Sequence, residues 1–163
     1  MAKAYLGLGG NIGDARSTIA AALDALDKGG ARLVARSSDY ETPPWGKLDQ
    51  PPYVNACAIV ETELTPKALL ALCLDTEREL GRVRIEKWGP RVIDIDVLAY
   101  ENEVIDDPSY PALNVPHPYM LDRAFVLVPL AEIAPDLMVR GVSVAEAVKS
   151  IEAGDIKRLG ATP

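Results

Sequence analysis

The chain has 163 residues, of which 48% are hydrophobic and 25% charged, a length and composition that suit one globular domain over 1–163. Its net charge of −7 argues against a dedicated nucleic-acid binder. The longest apolar run, AFVLVPLA at 124–131, is too short to cross a membrane, and no basic region followed by an apolar signal segment opens the chain, so we expect a cytoplasmic protein.

Four elements are predicted in the first part of the chain. They are a strand at 3–9, a helix at 17–29 and two more strands at 31–41 and 53–63. Asp14 is placed to cap the helix at its start, and Gly29 ends it. Helices and strands therefore alternate from the beginning of the chain.

The rest of the chain continues this alternation. Thr65 caps a second helix that has Pro66 at its first position and ends at Gly81. An aspartate-containing strand follows, and then a shorter helix over 121–133 that we expect Pro129 to interrupt. Ser143 and Glu146 form the capping-box pattern of a last helix. Interleaved strands and helices with a hairpin-like pair predict α+β layers.

The motif GLGGNIGD at 7–14 invites a dinucleotide-binding interpretation but does not fit one. Its glycines give GxGxxxG rather than GxGxxG, and GxxxxGK[ST] occurs nowhere in the chain. We interpret the motif as a tight strand-to-helix turn in which glycine permits close approach by a neighbouring loop.

The stretch ETPPWGKLDQPPYVN holds four prolines in fifteen residues. Proline lowers the entropy lost on ordering, so this stiffened excursion could form one wall of a pocket. On the strand that follows, Tyr53, Asn55 and Cys57 share a face. An aromatic plate beside an amide suits a flat heterocycle, although a cross-strand tyrosine near a turn asparagine has the same pattern.

Glu77 lies within the apolar arc of the second predicted helix. A carboxylate on a buried stripe must find a partner. Glu77 therefore either forms a structural hydrogen-bonded pair or faces a ligand site that borders the core.

Asp94 and Asp96 project from the same side of the strand in WGPRVIDIDVLAY. Held about 6 Å apart, two carboxylates repel by roughly 2 to 3 kcal/mol at an effective dielectric near 20, so a cation should compensate them. The preceding basic segment at 82–91 contains four cations and one acid. Guanidinium groups beside a carboxylate pair suit a polyphosphate with magnesium. The alternatives are a charged edge strand and an ordinary solvated loop.

His117, in NVPHPYMLDRAF, is the only histidine in the chain. A lone histidine is more often structural or exposed, and no second histidine supplies a metal-binding pair. The flanking prolines fix its direction.

In combination, these segments resemble the 6-hydroxymethyl-7,8-dihydropterin pyrophosphokinase family of the folate pathway. The resemblance covers roughly residues 4–137 and is carried by AYLGLGGNIGD, TPPWG, QPPYVNA, ERELGRVR, WGPRVIDIDVL, VPHP, DRAF and PLAEIAPDL. It implies a ferredoxin-like layered sandwich with a mainly antiparallel sheet flanked by helices. It also implies transfer of the β,γ-diphosphate of ATP to the pterin hydroxymethyl oxygen, with release of AMP, by a monomeric enzyme.

The resemblance further implies a role for individual residues. Asp94 and Asp96 would bind two magnesium ions that bridge the ATP triphosphate, and the basic segment would close over it. The implied catalytic residues are Arg82, Arg91, Asp94 and Asp96. The implied nucleotide-binding residues are Glu77, Arg82, Arg84, Trp88, Arg91, Val97, His117 and Arg123. The implied pterin-binding residues are Thr42, Pro43, Trp45, Tyr53, Asn55, Trp88, Asp94 and Phe125.

Two other classes share the predicted layers. A ferredoxin-like RNA-binding module needs a basic, aromatic-rich sheet face, whereas this chain is acidic and has one phenylalanine. A metabolite-sensing domain would not need two aspartates beside four basic residues. Magnesium-dependent ATP binding would separate the enzyme from both.

Overall fold

The structure, a computed structural model, describes residues 1–43, 50–81 and 92–160. Its helices are α1 (Ala15–Lys28), α2 (Pro66–Leu80), α3 (Ala124–Ile133) and α4 (Val144–Lys149), with a 3₁₀ turn at Met120–Asp122. Its strands are β1 (Ala2–Gly10), β2 (Ala31–Arg36), β3 (Tyr40–Thr42), β4 (Tyr53–Thr62), β5 (Asp94–Tyr100), β6 (Ile105–Asp107), β7 (Leu113–Val115), β8 (Met138–Val139), β9 (Val142–Ser143) and β10 (Lys157–Arg158).

Within these ranges, six strands form one antiparallel sheet around β4. Strand β1 pairs with β4 along its length, and β5 lies beyond β1 at the sheet edge. On the other flank of β4, β3 pairs with its beginning and β2 with its end. Strand β10 extends the sheet beyond β3. The predicted mainly antiparallel α+β sandwich is confirmed.

The two faces of the sheet are covered by different helices. Residues at alternate positions, such as Leu6 and Leu8 of β1, pack in one cluster with Ile19 and Leu26 of α1 and Leu69 of α2. The opposite face forms a second cluster that includes Cys57, Ile59, Leu98, Leu127, Leu130 and Val144, which belong to β4, β5, α3 and α4. Each fully buried leucine contributes roughly 1.5 to 3 kcal/mol to folding, so these two cores hold the layers together.

Side chains cap three helices where the sequence predicts. The hydroxyl or carboxylate oxygens of Asp14, Thr65 and Ser143 accept backbone N–H groups three residues ahead, at 3.2, 3.1 and 3.1 Å. Because these donors have no partner within the helix, the caps fix where α1, α2 and α4 begin. No helix in the described ranges is long and apolar enough to span a bilayer.

Two predicted elements differ from the structure. The strand predicted at 31–41 divides into β2 and β3, because the N–H of Ser37 binds the Cys57 carbonyl and the Ser37 hydroxyl accepts the Cys57 N–H. Pro129 lies inside α3 and does not interrupt it. A proline there removes the hydrogen bond to the Phe125 carbonyl, but burial of neighbouring residues against the sheet retains the helix.

Candidate active site

The glycines of the GLGGNIGD motif are divided between β1 and the turn that follows it. Gly7 and Gly9 lie within the strand, and only Gly13, with φ +64°, lies in the turn before α1. A left-handed φ favours glycine at position 13. Gly7 and Gly9 thus lie in the strand predicted at 3–9, and Gly13 lies in the strand-to-helix turn predicted after it. The neighbour that comes close to Gly9 is Asn55 of strand β4 and not a loop.

The two strand glycines lie on the face of the sheet that α3 covers. We use the name trough for the strip of this face that runs across β1 from Asn55 of β4 to Asp94 and Asp96 of β5. In the antiparallel register, Gly9 lies between Asn55 of β4 and Asp94 of β5, and Gly7 is opposite Asp96. Asn55 and Asp94 are thus two strand spacings apart, about 10 Å. Since glycine has no side chain, β1 itself places no side chain between the amide and the carboxylates, and the side chains of Asn55 and Leu98 from the neighbouring strands lie over Gly9 and Gly7.

The amide side of the trough depends on close packing. A Cβ on Gly9 would lie 2.4 Å from Asn55 Oδ1, so a side chain at that position would require Asn55 to move. Asn55 is buried, and its Nδ2 donates to Thr42 Oγ1 at 2.9 Å. Thr42 is opposite Tyr53 in the β3–β4 pair, and the exposed Pro43 follows it. Thr42, Tyr53 and Asn55 therefore lie together at this end of the sheet.

The carboxylate side of the trough lies on β5, which is an edge strand. A charged edge strand was one of the alternatives for Asp94 and Asp96. However, Asp96 is only partly exposed. Burial raises the pKa of its carboxyl group, and the positive charge of Arg123 opposes that shift. A cation bound to Asp94 and Asp96 would offset the cost of keeping Asp96 ionised.

Hydrogen bonds satisfy the outer edge of β5. The Ile95 N–H, between the two aspartates, donates to Glu77 Oε2 at 2.6 Å. Farther along, the His117 N–H donates to the Leu98 carbonyl at 2.8 Å. Glu77 thus forms the hydrogen bond of the first alternative, which supports the strand that carries the carboxylates, and its predicted contact with a nucleotide stays a prediction.

Arg123 links the carboxylates to an aromatic group. Its guanidinium carbon lies 5.4 Å from the centroid of the Tyr119 ring and 5.6 Å from that of Phe125. Both separations suit cation–π attraction. Phe125, in the first turn of α3, packs against the same core cluster as Cys57. Phe125 and Arg123 therefore lie on the side of the sheet that holds the trough.

His117 has a defined tautomer. Its Nδ1 accepts the Tyr119 N–H at 3.2 Å, so the proton of a neutral imidazole is on Nε2. Burial, followed by the positive charges of Arg123 and Arg140, lowers the pKa of His117 to about 4. Arg140 also donates to the carbonyls of Pro116 and His117. At neutral pH the ring is an uncharged hydrogen-bond donor through Nε2.

Val97 does not share the trough. Its side chain is 5% exposed in the cluster beneath α1 and α2, on the opposite face of β5 from the aspartates. Only its main chain could contact a ligand near Asp96. The remaining predicted site residues, Trp45, Arg82, Arg84, Trp88 and Arg91, lie outside the described residues.

Asn11 borders the candidate site, and our sequence reasoning did not single it out. It is buried after the end of β1, and its Nδ2 donates to Gln50 Oε1 and to the Pro51 carbonyl, both at 2.9 Å. These bonds fix the approach to β4 beside the strand glycines. The sequence did contain a signal for Asn11. In GLGGN, Gly7, Gly9 and Asn11 are two residues apart, the spacing of residues on one face of a strand.

The chain has the ligands that a hard divalent cation prefers. Although the described residues contain no cluster of three or more His, Cys, Asp or Glu that could hold a metal, Asp94 and Asp96 offer carboxylate oxygens on one face of β5. Phosphate oxygens commonly complete magnesium coordination at sites with one or two carboxylates. The donor set therefore fits magnesium delivered with a nucleotide.

Known proteins resemble this chain over most of its length. Residues 5–135 match the family described as 7,8-dihydro-6-hydroxymethylpterin-pyrophosphokinase (HPPK). A 2-amino-4-hydroxy-6-hydroxymethyldihydropteridine pyrophosphokinase of Methylorubrum extorquens is 53% identical over 160 residues, covering 98% of this chain and 99% of that protein. The protein of the same name from Haemophilus influenzae is 45% identical, covering 85% of each.

A solved structure shares the fold. An HPPK-DHPS protein, crystallised in complex with substrates, superposes with a TM-score of 0.75 at 15% identity, covering 96% of this chain. The chain spans 46% of that longer protein. At this identity the likeness concerns the fold alone.

The layered sheet and the sequence relatives define an ATP-dependent diphosphotransferase. The chain belongs to the 7,8-dihydro-6-hydroxymethylpterin-pyrophosphokinase family. Its activity is therefore that of a pyrophosphokinase of folate biosynthesis.

Proposed function

We propose that the trough between Asn55 and the two aspartates is where the diphosphate of ATP is transferred to 6-hydroxymethyl-7,8-dihydropterin. The observation that carries this proposal is the register: one glycine separates a buried amide from a carboxylate across two strand spacings. A flat heterocycle bound at the amide can direct its substituent toward phosphates held at the carboxylates.

The pterin binds at the Asn55 side. Tyr53 and Phe125 stack on its ring, and Asn55 forms hydrogen bonds with its polar edge. The Thr42 hydroxyl fixes the Asn55 amide. Main-chain groups at Thr42, Pro43 and Trp45 complete this wall, as the resemblance implies, with Trp88 and Asp94 as further contacts.

Asp94 and Asp96 hold two magnesium ions together with ATP. When bound, the ions neutralise charge on the phosphates. The positive charge of Arg123 already acts on Asp96, and Arg123 contributes to the same phosphate-binding site. His117 donates its Nε2–H to a phosphate oxygen without adding a charge.

The other nucleotide contacts follow the family pattern. Arg82 and Arg91 bind the transferred group and are catalytic, and Glu77 supports β5. The remaining proposed contacts are Arg84, Trp88 and the main chain of Val97.

The reaction requires alignment more than covalent catalysis. The hydroxymethyl oxygen attacks the β-phosphorus, and a new phosphorus–oxygen bond forms as the bond to the α-phosphate oxygen breaks. AMP leaves with the electron pair of that bond on its α-phosphate oxygen, and the proton of the attacking hydroxyl is released to solvent. Positioning by the sheet and charge stabilisation by the cationic groups suffice for this displacement.

The products test the reaction directly. With ATP, magnesium and 6-hydroxymethyl-7,8-dihydropterin, anion-exchange separation should show AMP and a pterin diphosphate in equal amounts. Purified Asp96→Ala protein should remain folded and lose nearly all turnover, because the metal and the triphosphate lose their anchor. ADP as the product, or ATP consumption that does not depend on the pterin, would contradict the proposal.

We also propose that the enzyme is a cytoplasmic monomer in which residues 1–163 form one catalytic domain. In support, both described faces of the sheet are covered by helices of the same chain. Light scattering coupled to size-exclusion chromatography should give the mass of one chain. A dimer mass at assay concentrations would refute the monomer.

A further inference from the structure

The carboxylate of Glu132 joins α3 to the segment between β2 and β3. Its Oε1 accepts the Tyr40 hydroxyl at 2.6 Å, and both carboxylate oxygens accept the Ser38 N–H at 3.0 Å. The Ser38 hydroxyl also donates to Oε2, at 3.2 Å. Arg158 of β10 donates to the Ser38 hydroxyl and lies 3.7 Å from Glu132. One carboxylate therefore joins a helix, a loop and the carboxy-terminal strand.

The charges of this cluster are consistent with its geometry. Burial, followed by the Glu132 carboxylate, raises the pKa of Tyr40 to about 12. Burial opposes ionisation of Glu132, but hydrogen bonds from Tyr40 and Ser38 outweigh burial and lower its pKa. At neutral pH the cluster is thus a carboxylate that accepts hydrogen bonds from a neutral phenol and a backbone amide, which are strong, directional bonds.

The cluster is connected to the trough from both sides. Tyr40 is opposite Asn55 in the β3–β4 pair, two residues before the Thr42 that holds the Asn55 amide. On α3, Glu132 follows Phe125 by seven residues, so the two share one helix face. The bonds of Glu132 therefore join the helix that carries Phe125 to the strand that adjoins Asn55.

Apolar packing alone would leave the separation between α3 and β3 less well defined. Helix α3 is also held by buried Val126, Leu127 and Leu130, which contribute non-directional attraction. Hydrogen bonds constrain angle and position more tightly. Loss of the carboxylate should therefore leave α3 folded and packed but allow it to shift against β3.

We propose that Glu132 is a positioning residue for the pterin: through Tyr40 it sets the gap between the Phe125 face of α3 and the Asn55 end of β4. This inference rests on the proposed function of the trough. Glu132 does not touch the substrate. Its effect should be larger for the pterin than for ATP because the aspartates lie on β5, at the opposite side of the trough, although Arg123 at the start of α3 acts on Asp96.

Steady-state kinetics on the full chain test this role. In Glu132→Gln, the KM for the pterin should rise about three- to tenfold, because the neutral amide replaces only part of the hydrogen bonding. The KM for ATP should stay within about twofold. Tyr40→Phe, which keeps the buried ring, should have the same selective effect and remains informative if Glu132→Gln fails to fold. The double variant should be little worse than either single one, since both changes break one link.

Glu146→Gln is the matched control. It neutralises a solvent-exposed carboxylate of α4 that lies 3.5 Å from Lys149, and both KM values should be unchanged. The inference is overturned if Glu132→Gln and Tyr40→Phe leave the pterin KM unchanged or raise both KM values equally. If the wild-type protein forms no pterin-dependent AMP, both the proposed function and this inference are overturned. If the wild type is active and the variants have the wild-type KM for the pterin, the inference alone is overturned.

Discussion

Single atoms decide the shape of the trough. At Gly7 a Cβ would lie 3.5 Å from Leu98, an ordinary contact, whereas at Gly9 it would lie 2.4 Å from Asn55 Oδ1. Both glycines belong to the same face of β1, so they differ in the neighbour that they exclude and not in backbone conformation. The Asn55 amide can take its position only because residue 9 is glycine, whereas residue 7 places no such limit on it.

We therefore expect Gly9→Ala to weaken pterin binding about tenfold or more, because the methyl group displaces Asn55 from Thr42. Gly7→Ala, the matched change on the same strand, should keep the Asn55–Thr42 bond and weaken pterin binding less. Calorimetric titration of each purified variant with the pterin measures the difference. Equal affinities of the two variants for the pterin would show that Gly9 does not control the amide.

His117 should make stability depend on pH in a defined window. Its pKa is about 4 in the folded protein, against about 6.5 for a free imidazole. Between these values the unfolded chain binds more protons, so this residue destabilises the fold as pH falls from 6.5 to 4. Above pH 6.5 the effect is absent.

The measurement is denaturant unfolding of wild type and His117→Gln at several pH values. The free energy of unfolding of the variant, relative to wild type, should improve by about 1 kcal/mol between pH 7 and pH 4, a modest value because the half-buried ring is partly screened by solvent. A difference between the two proteins that does not vary with pH would exclude the lowered pKa.

At the scale of elements, β5 is an edge strand whose free side is protected. Glu77 of α2 accepts the Ile95 N–H, and the segment at His117 donates to the Leu98 carbonyl. An exposed edge would offer its backbone groups to other chains. The same hydrogen bonds also fix the orientation of Asp94 and Asp96 on either side of Ile95.

Glu77→Ala should lower the free energy of unfolding by about 1 to 2 kcal/mol, because the Ile95 N–H loses its acceptor. Glu77→Gln keeps a carbonyl oxygen in reach and should lose less. Urea denaturation of both variants gives the comparison, and AMP formation should decrease in the same order. If Glu77→Ala and Glu77→Gln lower the free energy of unfolding equally, the hydrogen bond to Ile95 contributes nothing measurable to stability.

For the whole molecule, the end of the described chain returns to the sheet edge formed by β3, the strand beside Asn55. Strand β10 pairs with β3, the Leu159 N–H donates to the Asp39 carbonyl at 2.8 Å, and Arg16 of α1 donates to the Gly160 carbonyl. Asp39 is buried and ion-paired with Arg16 and Arg36. The carboxy-terminal strand thus covers the edge of β3 and links it to α1.

Deleting residues 157–163 should reduce the free energy of unfolding by about 2 kcal/mol, since several edge hydrogen bonds and the Arg158 contacts are lost. It should also raise the pterin KM more than the ATP KM, because β3 adjoins Asn55. Deletion of 161–163 alone, which leaves these contacts in place, is the control. Two truncations with the same stability and the same kinetics would contradict this role for β10.

Local signals in the sequence determined much of the molecule. The caps at Asp14, Thr65 and Ser143 could be predicted because capping depends on a few adjacent residues. The shared face of Asp94 and Asp96 followed from the period of a strand. The family followed from the order of several motifs along the chain, which the relatives confirm.

Only the tertiary structure decided how distant segments meet. Strand pairing brings Gly9 between Asn55 and Asp94, and nothing local to GLGG identifies these two partners. Pro129 remains within a helix because packing against the sheet outweighs one lost hydrogen bond. Helix propensity describes local preference only, so it could not predict this outcome. Glu132 and Tyr40 are 92 residues apart in sequence and meet through the fold. Local chemistry thus fixes caps and periodicity, whereas the register and the packing of the layers fix the site.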